Sequence, residues 1–98
     1  MTKRLTLIEP KVSSHVQLRY LERVLKYPYK MIVQNYQLMQ EHELITYLDE
    51  VLNLPMAKLA STISRDCANI LGNYKVTKDG ITYVVKNHRV VTCYEVQS

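Results

Sequence analysis

Apolar positions recur at helical spacing over the first two thirds of the chain and at alternate positions over the last third. Val16, Leu18, Tyr20, Leu21, Val24 and Leu25 fill one broad arc of a helical wheel, while His15, Arg19, Glu22, Arg23 and Lys26 share the opposite, narrow arc. Ser14 followed three residues later by Gln17 reads as a capping box, so this pattern predicts a helix from Ser14 to about Lys26. Ahead of it, Arg4 to Ile8 is short and β-like, with Pro10 as its end.

Pro28 interrupts the period, and a second helix is predicted from Tyr29 to Gln40. Its apolar set (Met31, Ile32, Val33, Tyr36, Leu38, Met39) covers most of the circumference, which marks a largely buried helix or a dimer interface. From Leu44 the apolar positions jump to the other side of the projected wheel. A straight helix does not bury opposite faces at its two ends, so a break is expected near Glu41-His42, with a third helix from His42 to Asn53. Pro55 suits the first turn of a fourth helix, whose stripe runs Met56, Leu59, Ala60, Ile63, Cys67, Ile70, Leu71, with Gly72 as its C-cap.

Three β segments follow. Tyr74 to Thr77 leads into an Asp79-Gly80 hairpin turn, Ile81 to Val85 into an Asn87-His88 turn, and Arg89 to Val96 returns. Strict alternation puts Val90, Thr92 and Tyr94 on one face of the last strand and Arg89, Val91 and Cys93 on the other. The expected architecture is a single α+β domain over 1–98: a short N-terminal strand and about four helices packed on a C-terminal three-stranded antiparallel meander.

Composition narrows the function classes. The chain has 98 residues and 47% hydrophobic content, too apolar for a disordered tail. No apolar run approaches the roughly 18 residues that span a membrane. The Met1-Thr2-Lys3-Arg4 start has no apolar stretch behind it, so a cytoplasmic protein without a secretion signal is expected. Lys and Arg outnumber Asp and Glu by 13 to 9, a mild bias toward polyanions. All eight aromatic residues are Tyr, which places several at the edge of the core, where the hydroxyl finds a partner. Cys67 and Cys93 read as reduced, half-buried thiols. With three histidines they make no metal-ligand spacing, and with two glycines there is no nucleotide loop, so neither metal nor cofactor is expected.

His15 and Arg19 stand at i and i+4, so they can address one ligand from one helix face. A histidine moves protons and an arginine grips phosphate, the two requirements for cleaving RNA through its own 2′-hydroxyl. The same residues also read as an ordinary solvated helix face. At the other end, the run Gly80 to Tyr94 closes with Val90-Val91-Thr92-Cys93-Tyr94. With this ending and the His-x-x-x-Arg helix, the chain resembles the superfamily of small ribonucleases that includes barnase, the EndoU enzymes, colicin D and RelE-type toxins, in a branch found in phages and bacteria. The resemblance covers about 30 of the 98 residues. It implies metal-independent RNA cleavage on a concave sheet face, with His15 as general acid or base, Arg19 as phosphate clamp and Thr92 and Tyr94 as sheet-side contacts. His88 would be a second proton carrier, and Arg23, Lys26, Lys86 and Arg89 would hold nucleic acid.

A reading of another class comes from the second half. Helix 42–53, the Leu54-Pro55 turn, helix 56–71 and a hairpin also spell a winged helix-turn-helix. Lys58, Ser61, Thr62, Arg65 and Asn69 would then face duplex DNA, with Lys75, Lys78 and Lys86 on the wing. A phage protein that binds a host protein is the third reading, since Tyr-rich surfaces suit interfaces. Across the readings the expected partner is nucleic acid, RNA before DNA, with a protein partner as the alternative and no membrane.

Overall fold

The computed structural model describes residues 7–96. They form β1 (Lys11–Val12), α1 (Ser14–Arg23), α2 (Tyr29–Ile32), a 3-10 turn (Tyr36–Leu38), α3 (Glu41–Glu50), α4 (Met56–Asp66), β2 (Tyr74–Lys78), β3 (Ile81–Lys86) and β4 (Arg89–Glu95). The α+β class and the C-terminal meander are those the pattern predicts. The expected short N-terminal strand is also present and joins the sheet: β1 lies parallel to β4, giving four strands in the order β1-β4-β3-β2.

The N-terminal strand forms later than expected. Arg4 to Thr6 fall outside the described residues, and Ile8 makes only an isolated bridge with Asn69. Pairing with β4 begins after Pro10, where Lys11 N–H donates to His88 O and Ser13 N–H to Val90 O. Proline opens this strand rather than ending it, as a residue without an N–H can at a sheet edge. Its carbonyl accepts from Ser64 Oγ at 2.6 Å. The ladder bond at Ser13 also moves the helix cap by one residue: Ser13, held extended, accepts Val16 N–H on its Oγ at 3.2 Å, so Ser13 and not Ser14 caps α1. The helix ends at Arg23 instead of about Lys26. Lys26 takes a left-handed conformation (φ 56°) and Tyr27 N–H reaches back to Leu21 O. Asn53 (φ 57°) and Leu54 N–H close α3 onto Leu48 O in the same way.

Two expected helices are shorter than their apolar patterns. The segment 29–40 makes a single turn, turns extended at Val33, and resumes as the 3-10 turn. Within it only Tyr29 and Val33 are buried, while Met31 and Leu38 are 83% and 85% exposed. An apolar circumference thus marked a broken segment with a single anchoring side, not a buried helix. Helix α4 stops at Asp66, five residues before Leu71. The chain after it is claimed by other bonds: Tyr74 Oη donates to Cys67 O, and Asn69 exchanges both backbone bonds with Ile8. Ile70 and Leu71 are exposed, and Gly72 is no C-cap; it lies against the His88 ring.

The two core clusters share α1. Val16 packs with Ile63, Cys67, Ile81, Tyr83, Val85, Val90 and Cys93 between helices and sheet. Leu18 and Leu21 pack with Tyr29, Val33, Leu44, Leu48 and Met56 among the helices. The broad apolar arc of α1 is needed because it serves both. Strict alternation in β4 fails at one place: Val84 pairs with Thr92 and Val85 with Val90, leaving Val91 as a bulge. Val90 therefore joins Cys93 on the core face, and Arg89 leaves it. Five tyrosines are half-buried, as expected of core-edge residues, and both thiols are free and fully buried rather than half-buried.

Ser13→Ala is expected to cost about 1 kcal/mol in denaturant unfolding, the worth of a lost cap, whereas Ser14→Ala should be nearly neutral. Equal costs would assign the cap wrongly. The core also sets an alkaline limit. Burial pushes the Cys67 thiol up from 9.0 to about 11 and raises Cys93, Tyr74 and Tyr83 above their ordinary values. Each group holds its proton more tightly folded than unfolded; for Cys67 the stabilising effect is complete below pH 9 and is lost as pH climbs toward 11, and the other three act in the same direction. The melting temperature should therefore fall between pH 9 and 11, and Cys67→Ser should flatten that fall.

Candidate nucleic-acid interface

Helices α1 and α4 pack on one face of the sheet, the face of Ile81, Tyr83, Val85, Val90 and Cys93. Alternation and register assign the other face: Thr82, Val84 and Lys86 from β3, Arg89, Thr92 and Tyr94 from β4, Lys75 and Thr77 from β2, and Lys11 from β1. None of these side chains belongs to either core cluster.

On this face Lys11, Arg89 and Lys86 are register partners across three adjacent strands, forming one transverse row about 10 Å long. Lys75, opposite Val84, adds a fourth exposed cation on β2. Farther along lies a hydroxyl row. Tyr94 pairs with Thr82, which pairs with Thr77, and the two threonine hydroxyls are 2.8 Å apart. Tyr94 is 40% exposed, so part of its ring is open to solvent.

Acids are kept off this face by pairing elsewhere. Glu95 stands opposite Ile81 on the helical side and meets Lys26 at 3.6 Å. Asp66 of α4 takes Lys78 at 2.8 Å, and that bond, with the carboxylate's charge, raises the Lys78 ammonium's pKa. Among the described residues no carboxylate is ion-paired with Lys11, Lys75, Lys86 or Arg89; the nearest acid along the chain is Glu9.

His88 sits at the edge of the cation row. It and Asn87 form a two-residue turn with positive φ (57° and 51°), where Asn-Gly is the favoured pair. Its N–H donates to Gly72 O, its C=O accepts from Lys11 N–H, and a Cβ on Gly72 would lie 3.1 Å from the ring. A side chain at 72 would crowd the imidazole in this position.

The residues expected to share a site form two groups. Lys86, His88, Arg89, Thr92 and Tyr94 gather on or beside the uncovered sheet face. His15, Arg19 and Arg23 line a cavity on the helical side together with Tyr29, Lys30 and Glu41. The sheet lies between the groups, so His15 and Arg19 do not meet Thr92 and Tyr94. Lys26 belongs to neither, being held by Glu95. Lys11 and Lys75 are members of the row that no short motif marked.

The helix-turn-helix face is arranged differently from that reading. Lys58 and Thr62 border an apolar cavity with Leu21, Leu25 and Pro55, and the Thr62 hydroxyl donates to Lys58 O. Arg65 is exposed near the end of α4, but Asn69 lies beyond it, bridged to Ile8. The β2–β3 hairpin is built into a four-stranded sheet, with β2 at its edge and β3 paired along its length with β4, so it is not a free wing. Among the described residues no group of three His, Cys, Asp or Glu side chains converges, and no helix is long and apolar enough to cross a membrane.

Set beside protein-family models, curated proteins and solved structures, the chain matches none of them.

His88→Gly removes a side chain from a left-handed position and leaves the turn its preferred residue. Stability should hold or rise by up to about 1 kcal/mol. A loss larger than that would mean that the imidazole contact with Gly72 holds the turn.

Proposed function

We propose that this protein binds nucleic acid, single-stranded RNA before duplex DNA, across the uncovered face of its sheet. The observation that carries the reading is the row Lys11–Arg89–Lys86, in register on three strands with Lys75 beside it and no acid interleaved. Phosphate contacts of this kind supply sequence-independent affinity. The exposed Tyr94 ring offers a stacking surface, and the hydroxyls of Thr77, Thr92 and Tyr94 suit a 2′-hydroxyl that both donates and accepts.

Width favours a single strand. Three steps of about 4.8 Å make the four-stranded face about 14 Å across before side chains are added. The major groove of a duplex is about 12 Å wide and admits a helix or a two-stranded ribbon. The proposed activity is binding: His15 offers no free base in this arrangement, because Glu41 and Arg19 engage both of its nitrogens.

Fluorescence anisotropy with a labelled single-stranded RNA tests the proposal. Arg89→Ala and Lys86→Ala should each weaken binding several-fold at low salt and reduce the slope of log K against log salt by about 0.7, the loss of one phosphate contact. A duplex DNA should compete poorly. A Lys11→Ala/Lys86→Ala/Arg89→Ala variant that binds as tightly as the unaltered protein would sink the reading.

A further inference from the structure

On the helical side of the sheet, away from the cation row, a cavity of about 210 Å³ opens between α1, α2 and the start of α3. Both of its carboxylates are engaged: Glu41 Oε2 accepts from His15 Nδ1 at 3.1 Å, and Glu22 meets Lys30 at 3.4 Å. Arg19 Nε donates to His15 Nε2 at 2.7 Å. An arginine nitrogen is always a donor, so His15 Nε2 is the acceptor and the ring proton sits on Nδ1, facing Glu41. Glu41 thus sets the tautomer, and the tautomer holds the guanidinium by its Nε edge.

This arrangement leaves donors without acceptors. Only the Nε–H of Arg19 is bonded among the described residues, so the Nη edge of the fork is free. Arg23, one turn on, lines the same cavity with no acid partner among those residues. Tyr29 gives an independent pointer. The residue is 7% exposed and lines the cavity, and its hydroxyl reaches the solvent-open side, where it makes no hydrogen bond to another described residue. Burial, then the charges of Glu22 and Glu41, raise its pKa, so the phenol keeps its proton and remains a donor.

We infer that this cavity is an oxyanion site for a phosphate group, gripped by the Arg19 fork, with Arg23 and the Tyr29 hydroxyl as further donors. Glu41 and His15 are positioning residues that act through Arg19. A bidentate guanidinium matches two phosphate oxygens, and fixing it beforehand lowers the entropy lost on binding. The volume suits a phosphate but falls below the roughly 300 Å³ at which pockets for whole small molecules begin. The occupant is therefore a free phosphate or the terminal phosphate of a larger molecule whose body stays outside. The site rests on a different observation from the sheet-face reading and stands or falls separately.

The test is an NMR titration of the full chain, following the His15 ring and the Arg19 Nε–H. Inorganic phosphate and a nucleoside 5′-monophosphate serve as probes, with sodium chloride matching the ionic strength. Saturable shifts with phosphate are expected, at least tenfold weaker binding in Arg19→Gln, and several-fold weaker binding in Glu41→Gln, which keeps Arg19 but loosens its support. Melting curves of both variants confirm folding, and Arg23→Gln, an exposed position, gives a second variant with a several-fold loss. Saturation by phosphate alone assigns a free anion, and saturation by both probes assigns a terminal phosphate group. Shifts that grow linearly with both probes, or that persist unchanged in Arg19→Gln, overturn the site.

Discussion

Val16 packs against the sheet from one flank of α1, while Leu18 and Leu21 pack among the helices from the other. One ten-residue helix therefore ties the two cores together, and the remaining surfaces follow from its position. Its apolar arc is spent on two neighbours, so only the narrow polar arc is left, and that arc lines the cavity of His15, Arg19 and Arg23. Burying a Val or Leu side chain is worth about 1.5–3 kcal/mol. Rotating α1 to turn its arginines elsewhere would forfeit several such burials at once. The sheet, covered by α1 and α4 from one side, must be polar on the other, and there the chain places Lys11, Lys75, Lys86 and Arg89.

What could be read without coordinates was the part governed by local chemistry. Asp79-Gly80 and Asn87-His88 fixed the meander because their backbone demands are local, and both turns have the positive φ values those demands require. The His15–Arg19 contact was legible for the same reason, as i and i+4 always share a helix face. The misreadings came from tertiary claims on backbone groups. Met31, Leu38, Ile70 and Leu71 continued apolar patterns but had no neighbour to bury against, so their helices stopped early. Ser14 looked like the cap until Val90 O held Ser13 extended. Neither the parallel pairing of β1 nor the resulting place of Lys11 has a periodic signature, since a two-residue strand covers a single period and cannot show a repeat.

The charges are partitioned by the same geometry. Acids that reach the sheet or its flanking helices meet lysines on the helical side, Glu95 with Lys26 and Asp66 with Lys78. Surface pairs of this kind add little stability, typically under about 1 kcal/mol. Their larger consequence is electrostatic: they leave the uncovered face with an excess of positive charge that a net charge of +4 does not reveal. A mildly basic composition thus becomes a strongly one-sided surface.

That surface depends on one inserted residue. In an unbroken β4, Cys93 facing the core would draw Val91 and Arg89 inward with it, and Val90 would turn outward beside Thr92 and Tyr94. The bulge at Val91 reverses the lower half of the strand: Val90 takes its place in the core, fully buried, and Arg89 comes out next to Lys86 and Lys11. A bulge interrupts the local ladder, and an arginine turned into an apolar core without a partner would cost far more. The sequence Arg-Val-Val-Thr-Cys-Tyr can satisfy both the core and the cation row only with that extra residue in the ladder. The feature that made strict alternation fail is therefore what aligns Arg89, Thr92 and Tyr94 on a single face.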